Sequence, residues 1–295
     1  MKKIKITIIN SVLAPIISIA SLVALAEEIS ADEFEKKDEM KHPILVQAPM
    51  PIEAKEFAGR LENVKVEKSG STFIFYIGTV DDYPVIVSKT GKGMENTAAA
   101  TAVAINKYKP SAIINQGTSG GHDPALNVFD IVLGERTVNI GSMKTGDRAE
   151  GEGIEAKNWK PMDIMASEGS AGEDPNAEKA RYYEADPELL AIANQEKNNH
   201  KKGKVVKGTI GSADLWNNEI DRINWLHENY GTSVEEMESA SAAMIAKAYE
   251  VPFLAIRILS NNKTNQGAYN ADTAIANQKY VYKVVREYIS TLNNK

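Results

Sequence analysis

Cysteine is absent from all 295 residues. That excludes disulfides, a thiol nucleophile and a cysteine-linked lipid anchor, so stability must come from the packed core. A basic surplus is absent too: 34 lysines and arginines face 40 aspartates and glutamates, for a formal charge of −6. A phosphate backbone wants a basic surface, so nucleic acid is not an expected partner. What is present, 43% hydrophobic and 25% charged residues, is the balance of one large globular domain or two small ones, with one core as the default.

The first 26 residues stand apart. Lys2, Lys3 and Lys5 form a positive start, Ile6 to Leu22 is mostly apolar, and Ala24-Leu25-Ala26 precedes Glu27 as an A-x-A cleavage pattern. Residues 1–26 therefore read as a secretory signal peptide, with an uncleaved membrane anchor as the alternative; Asn10, Ser11 and Pro15 interrupt the run and favour cleavage. The expected mature protein is secreted or periplasmic, is not inserted in the membrane, and has its formal charge taken from −6 to −9 by loss of the three lysines. Residues 27–42, charged and without apolar periodicity, read as an exposed leader, which leaves 43–295 as the domain.

From His42 onward apolar runs alternate with helical stretches. Strands are expected at 43–48, 72–80, 83–90, 111–117, 128–135, 204–212, 232–238 and 252–260, and helices over 52–62, 94–108, 187–198, 217–229, 239–249 and from Asp272. This is the pattern of a single α/β domain with a central mixed, mainly parallel sheet flanked by helices. Ligands of such sheets sit beyond the carboxyl ends of the strands, which makes strand ends the candidate site positions.

Several ends are chemically unusual. Glu53 follows the first strand in the first turn of a helix, where a carboxylate serves either the helix dipole or a function. SKTGKG (88–93) is a glycine turn before a helix, read as structural. INQGTSGGHDP (114–124) sets Gly117, Thr118, Ser119, Gly120 and Gly121 where a backbone can approach a small ligand closely, and His122 there reads as loop decoration. EEMESASAA (235–243) carries Glu236 and Glu238 into a helix of small residues, with one of the two acids expected to face inward. The apolar run VPFLAIRILSNN (251–262) holds a lone Arg257 and ends in Ser260, Asn261 and Asn262.

MPIEAKEF, INQGTSGG, VEEMESASAAMIA and VPFLAIRILSN, in family order along about residues 43–292, resemble the motifs of the nucleoside phosphorylase superfamily, and in particular its methylthioadenosine/S-adenosylhomocysteine nucleosidase branch. The resemblance implies that Glu53 activates an attacking water and that Thr118 lies near the ribosyl group. Met237 is then packed on the sugar and Glu238 on its hydroxyls, while Arg257 and Ser260 fall on the family's RxxS pattern, Ser260 beside the base. TIGSADLWNN (209–218) matches the strand and turn whose apolar residue stacks on the base, so Leu215 or Trp216 takes that role, with Asp214 either a helix cap or a ligand contact. A purine nucleoside is the implied partner, a homodimer the implied assembly, and no cofactor or metal is implied.

Three features depart from that pattern. The family usually has an aspartate, the acid that supports proton donation to purine N7, where this chain has Asn261. An amide cannot give up a proton but can donate one hydrogen bond and accept another, which suits a 6-oxopurine with water or Asn262 completing the contacts. Phosphorolytic hexameric members carry an arginine where this chain has Asn115, so water is the expected nucleophile. The segment 141–185 is longer than in the nucleosidases and reads as a surface loop or lid, with Trp159, Tyr182 and Tyr183 either shielding a ligand or pinning the loop. The expected function is an exported purine nucleoside N-glycosidase; a non-catalytic nucleoside-binding or storage protein and a phosphate-dependent phosphorylase are the alternatives.

Overall fold

The computed structural model describes residues 41–162, 164–165, 179–263 and 266–294. The expected signal segment 1–26 and all but the end of the expected leader lie outside the described residues. The long strands are β1 (Ile44–Ala48), β2 (Glu62–Ser69), β3 (Phe73–Val80), β4 (Tyr83–Lys89), β5 (Ala112–Gly121) and β6 (Ile131–Asn139). Four two-residue strands follow, β7 (Met143–Lys144), β8 (Lys160–Pro161), β9 (Ile164–Met165) and β10 (Lys179–Ala180), then β11 (Tyr182–Glu184), β12 (Val205–Ser212), β13 (Thr232–Glu236) and β14 (Phe253–Asn261). The helices are α1 (Pro51–Ala58), α2 (Met94–Tyr108), α3 (Pro187–Gln195), α4 (Ile220–Tyr230), α5 (Ser239–Ala248) and α6 (Asp272–Asn293).

One mixed sheet of ten strands organises the α/β domain. β1 lies parallel between β4 and β5, and β3 and β2 continue antiparallel beyond β4. On the other side, four strands close a circuit with β5. β5 pairs with β14, β14 with β6, β6 with β12, β12 with β13, and β13 returns antiparallel to β5.

The strands that make the centre are apolar on both faces because both faces are covered. With a side-chain period of two, Ile44, Val46 and Ala48 of β1 pack with α1 and α6 through Phe57, Val281 and Val285, whereas Leu45 turns to the layer of α2 and α5 with Ala104 and Ala246. Each fully buried large aliphatic side chain contributes roughly 1.5–3 kcal/mol of transfer free energy. This core holds the strand tips rigid where the functional side chains emerge.

Two elements differ from expectation. The helix expected over 52–62 stops at Ala58, and β2 takes its place from Glu62. β2 hides from a search for apolar runs because it is an edge strand with most residues exposed; charges such as Lys65 and Glu67, the latter paired with Lys107, blunt that edge. In the 141–185 segment, Tyr182 and Tyr183 belong to β11 and pair with β6, Tyr183 buried in the core and Tyr182 under the Arg136 guanidinium at 4.2 Å. They fasten the sheet edge.

Candidate active site

A cavity of about 320 Å³ opens at the ends of β1, β5, β13 and β14. Its sugar-facing candidates, Glu53, Thr118, Met237 and Glu238, and its base-facing ones, Leu215, Trp216, Ser260 and Asn261, all line it. Gly121 does not. A Cβ there would sit 2.8 Å from Leu259 and 3.0 Å from Asn262, so this glycine serves close packing behind the wall.

Glu53 owes its position to the turn after β1. Pro51 occupies the first helical turn, where its missing N–H is no loss, and the Glu53 carboxylate reaches back to the Met50 N–H at 3.2 Å. Its Oε1 accepts both the backbone N–H and the hydroxyl of Thr118, each at 2.8 Å. Gly117 makes this approach possible, since a Cβ there would lie 3.1 Å from that oxygen. From behind, Gln116 donates to the Glu53 carbonyl at 2.6 Å, and Gln278 of α6 donates to the Ile52 carbonyl at 2.8 Å. Burial raises the Glu53 pKa; the Thr118 bonds and the Arg257 charge pull it back in part. The result is a fixed carboxylate with raised proton affinity at the edge of a cavity, suited to accept a proton from water.

Glu236 and Glu238 are both buried, where one was expected to face inward. Glu236 is bonded by Arg257, by the Ser212 and Ser239 hydroxyls and by the N–H groups of Glu238 and Ser239. Arg257, fully buried, spans three strands: it pairs with Glu236 of β13 and donates to both the carbonyl and the side-chain oxygen of Asn115 in β5. Asn115 is thereby committed within the sheet and does not line the cavity. Glu238 has less. Its Oε1 accepts the Gly93 N–H at 3.0 Å and its Oε2 stands 3.8 Å from Arg257. Burial, then the neighbouring Glu236 charge, push its pKa up to about 8 against the pull of Arg257.

The glycine turn at 88–93 is thus tied to the site. Gly93 has φ +98°, open to glycine, and precedes α2 without a capping side chain of its own. Two distant carboxylates cap that helix instead, Glu238 on Gly93 N–H and Asp214 on Met94 N–H at 3.0 Å. Asp214 is a helix cap, but for a helix 120 positions earlier in the chain.

At its tip β14 carries a bulge: Leu259 faces Ser119 and Asn261 faces Gly120, leaving Ser260 as the extra residue. Such a bulge re-aims side chains, here turning Asn261 into the cavity. The Ser260 hydroxyl donates to Asn261 Oδ1 at 2.8 Å. Asn262 instead donates to the Leu126 carbonyl at 3.0 Å and is not part of the cavity wall. His122 is a correction as well: rather than decorating a loop it is buried, its Nε2 2.9 Å from Glu235 and its Nδ1 2.7 Å from the Thr232 hydroxyl. Glu235 and Tyr269, which sequence reasoning passed over, also line the cavity. Tyr269 sits in the loop after β14 with no periodic signal; Glu235 was masked by the two acids that follow it.

Among the described residues no cluster of carboxylates and imidazoles is arranged to hold a metal ion, and no helix is long and apolar enough to cross a membrane. The sequence model of the Phosphorylase superfamily matches residues 43–290. The chain belongs to the phosphorylase superfamily. Among curated superfamily members, the 5'-methylthioadenosine/S-adenosylhomocysteine nucleosidase of Bacillus cytotoxicus is 27% identical over 250 residues, covering 83% of this chain and 98% of that protein. The fold matches the Neisseria meningitidis enzyme of the same name, solved with methylthio-immucillin-A, at TM-score 0.66 and 22% identity, covering 83% of this chain and 99% of that one. The native futalosine hydrolase of Helicobacter pylori matches at TM-score 0.66 and 19% identity, covering 83% and 98%.

Proposed function

We propose that this chain hydrolyses the N-glycosidic bond of purine nucleosides. The observation that carries the reading is that Glu53, Glu238, Asn261, Leu215 and Trp216 all line a single cavity. Nucleosidase names among its relatives support it.

Cleaving the bond from C1′ to N9 builds positive charge on the ribose and sends the electron pair to the purine. Glu53 accepts a proton from the water whose oxygen bonds to C1′, and its charge opposes the growing cation. Glu238 binds the 2′ and 3′ hydroxyls; below about pH 8 it holds a proton and serves as both donor and acceptor toward the diol. Asn261 donates to N7 as the base leaves, and the purine anion takes its proton from solvent. Without a general acid at that position the chemistry lacks a factor of ~10²–10⁴ that proton donation typically supplies.

Water is favoured over phosphate by charge. With Glu238 protonated, Glu53, Glu235 and Glu236 remain as the lining carboxylates, Lys92 is the one exposed cation among the described lining residues, and Arg257 is engaged by Glu236. A phosphate dianion would meet net negative charge. Asn261 favours the second reading, a non-catalytic nucleoside binder. Incubating the protein with a panel of purine nucleosides, with and without phosphate, separates the three. Free base and free ribose in both cases are expected; ribose 1-phosphate would indicate phosphorolysis, and binding without turnover would indicate the binder.

Export and assembly as a homodimer are parts of the same proposal, resting on the sequence pattern at 1–26 and on the family resemblance. Expression in a bacterium with intact export should yield a mature N-terminus at Glu27, read by N-terminal sequencing; full-length protein in the membrane fraction would refute cleavage.

A further inference from the structure

Asn277 stands one position before Gln278 on α6, with no exposed surface, and its amide meets β5 and β14. Its Nδ2 donates to the Gln116 side-chain oxygen at 3.0 Å and to the Gly117 carbonyl at 3.2 Å, with the Ile256 carbonyl at 3.5 Å. Because Gln116 Oε1 is engaged as an acceptor, its NH₂ is the end that reaches the Glu53 carbonyl at 2.6 Å. Asn277, Gln116 and Glu53 thus form one chain of buried hydrogen bonds.

The Gly117 bond gives Asn277 a second hold on the same carboxylate. Gly117 is the residue whose missing side chain lets Glu53 Oε1 come close, and the next N–H along, that of Thr118, donates to that oxygen at 2.8 Å. The main chain of Glu53 and the peptide that meets its carboxylate are therefore fastened to one NH₂ group. Gln278 holds α1 alone, through the Ile52 carbonyl and the Phe57 N–H, whereas Asn277 keeps α1 and the tip of β5 in register with each other.

Asn277 occupies this place at a cost. Its Oδ1 is buried without a donor among the described residues, and an unpaired buried acceptor destabilises a fold. Turning the amide over would set that oxygen against three others. What the side chain contributes is its donors, and two of their three acceptors lead to Glu53.

We infer that Asn277 is a positioning residue for Glu53, its NH₂ group setting the carboxylate against Thr118 in the geometry from which it takes a proton from water. The inference rests on the nucleosidase reading and adds to it a residue outside the cavity wall. A displaced base acts on the attack of water, while the nucleoside is held by other groups, so the loss falls on kcat. The same slip weakens the Thr118 bonds, which pull the Glu53 pKa down, and leaves burial to push it up. The other ionisable groups that face Glu53 are Arg257, Glu238 and Tyr269, and Asn277 bonds none of them.

Steady-state kinetics of native protein, Asn277→Leu and Gln116→Leu with methylthioadenosine, adenosine and inosine is the test. In either variant kcat should fall by about 10- to 100-fold while KM changes by less than about twofold. The double variant should be about as slow as the slower single one, because both act through one chain of bonds. The acid limb of kcat/KM, which reports the base of the free enzyme, should move to higher pH. Tyr280→Phe is the control: it removes another buried bond of α6, to the Ala193 carbonyl, and should lower the unfolding midpoint with kcat and the acid limb unchanged. A kcat within about twofold of native in Asn277→Leu, a loss carried by KM with the acid limb unmoved, or an equal kcat loss in Tyr280→Phe overturns this inference and leaves the nucleosidase reading standing. Native protein that cleaves none of the nucleosides overturns both. Where the variants do not fold, deuterium exchange on native protein decides: the Asn277 side-chain amide protons should exchange slowly, and exchange at the rate of an exposed asparagine overturns the inference.

Discussion

Glu236 and Glu238 stand two residues apart at the root of α5, both buried, and their surroundings treat them in opposite ways. Glu236 is saturated by an arginine, two hydroxyls and two backbone N–H groups. Glu238 receives one backbone N–H and keeps its second oxygen 3.8 Å from the same arginine. Burial without enough donors raises proton affinity, as Glu238 shows; burial with a full set of donors makes a strut. Glu53 lies between the two, with three donors and a pKa still raised by burial. Where the fold leaves a carboxylate short of partners, a ligand has something to complete.

The sharpest way to probe the under-supplied side is Glu53→Gln. Turnover of the purine nucleoside should fall by ~10²–10⁴, the usual contribution of a general base, with the unfolding midpoint lowered only slightly, because the amide oxygen still accepts both Thr118 donors and only the long Met50 N–H contact is lost. Steady-state kinetics and a urea titration on the same preparation check both halves. A stability loss without a loss of turnover would make Glu53 a strut like Glu236.

Breaking the saturated side should show in stability. Arg257→Met leaves Glu236 buried without its cation and should lower the free energy of unfolding by about 3–5 kcal/mol, measured by chemical denaturation. An unchanged midpoint would mean that the hydroxyls and N–H groups suffice by themselves.

Glu238→Gln sharpens the contrast through pH. The Glu238 proton stays on in the folded protein until about pH 8, whereas the unfolded chain releases it near the ordinary glutamate value of 4.5. Between those values the folded state binds more protons, so stability falls as pH rises, by at most ~1.4 kcal/mol per pH unit, and is level outside the window. The stability of native protein relative to Glu238→Gln should therefore decline from pH 5 to pH 8 and hold constant above it; Glu53 is present in both and cancels. Urea midpoints at pH 5, 6.5, 8 and 9 give the curve. A flat difference would show that Glu238 is ionised throughout.

The smallest effect belongs to the open end of the cavity. Trp216 is 54% exposed and carries no core packing, so Trp216→Ala should weaken purine binding by about 1 kcal/mol and leave stability unchanged. Titration with the free base reads it; a stability loss would place Trp216 with the struts instead.

Most of the sheet was legible because its central strands are buried on both faces and so are written as apolar runs bounded by glycine and proline. β2 was not, since an exposed edge strand such as ENVKVEKS carries charge instead of hydrophobicity. At the site, Glu53, Thr118, Glu238 and Asn261 were visible as motif residues at strand ends, and the structure brings them to one cavity. What the chain could not show locally were contacts across long separations. The Asp214 cap on α2 is one, and the His122 pair with Glu235 is another. The bulge at Ser260 shows only in register with β5, which no property of LSNN announces.

The brace behind Glu53 bears on the order of synthesis. Gln278 holds the Ile52 carbonyl from 226 positions further along the chain, and its side-chain oxygen accepts the Phe57 N–H at 3.1 Å. A nascent chain that has passed α1 therefore carries Glu53 on an eight-residue helix whose Ile52 carbonyl and Phe57 N–H have yet to meet the Gln278 amide. A polypeptide halted before α6, or trimmed of it by a protease, would keep every residue that lines the cavity, the last of them Tyr269, and lose the brace on α1, so the support of Glu53 is completed when α6 docks.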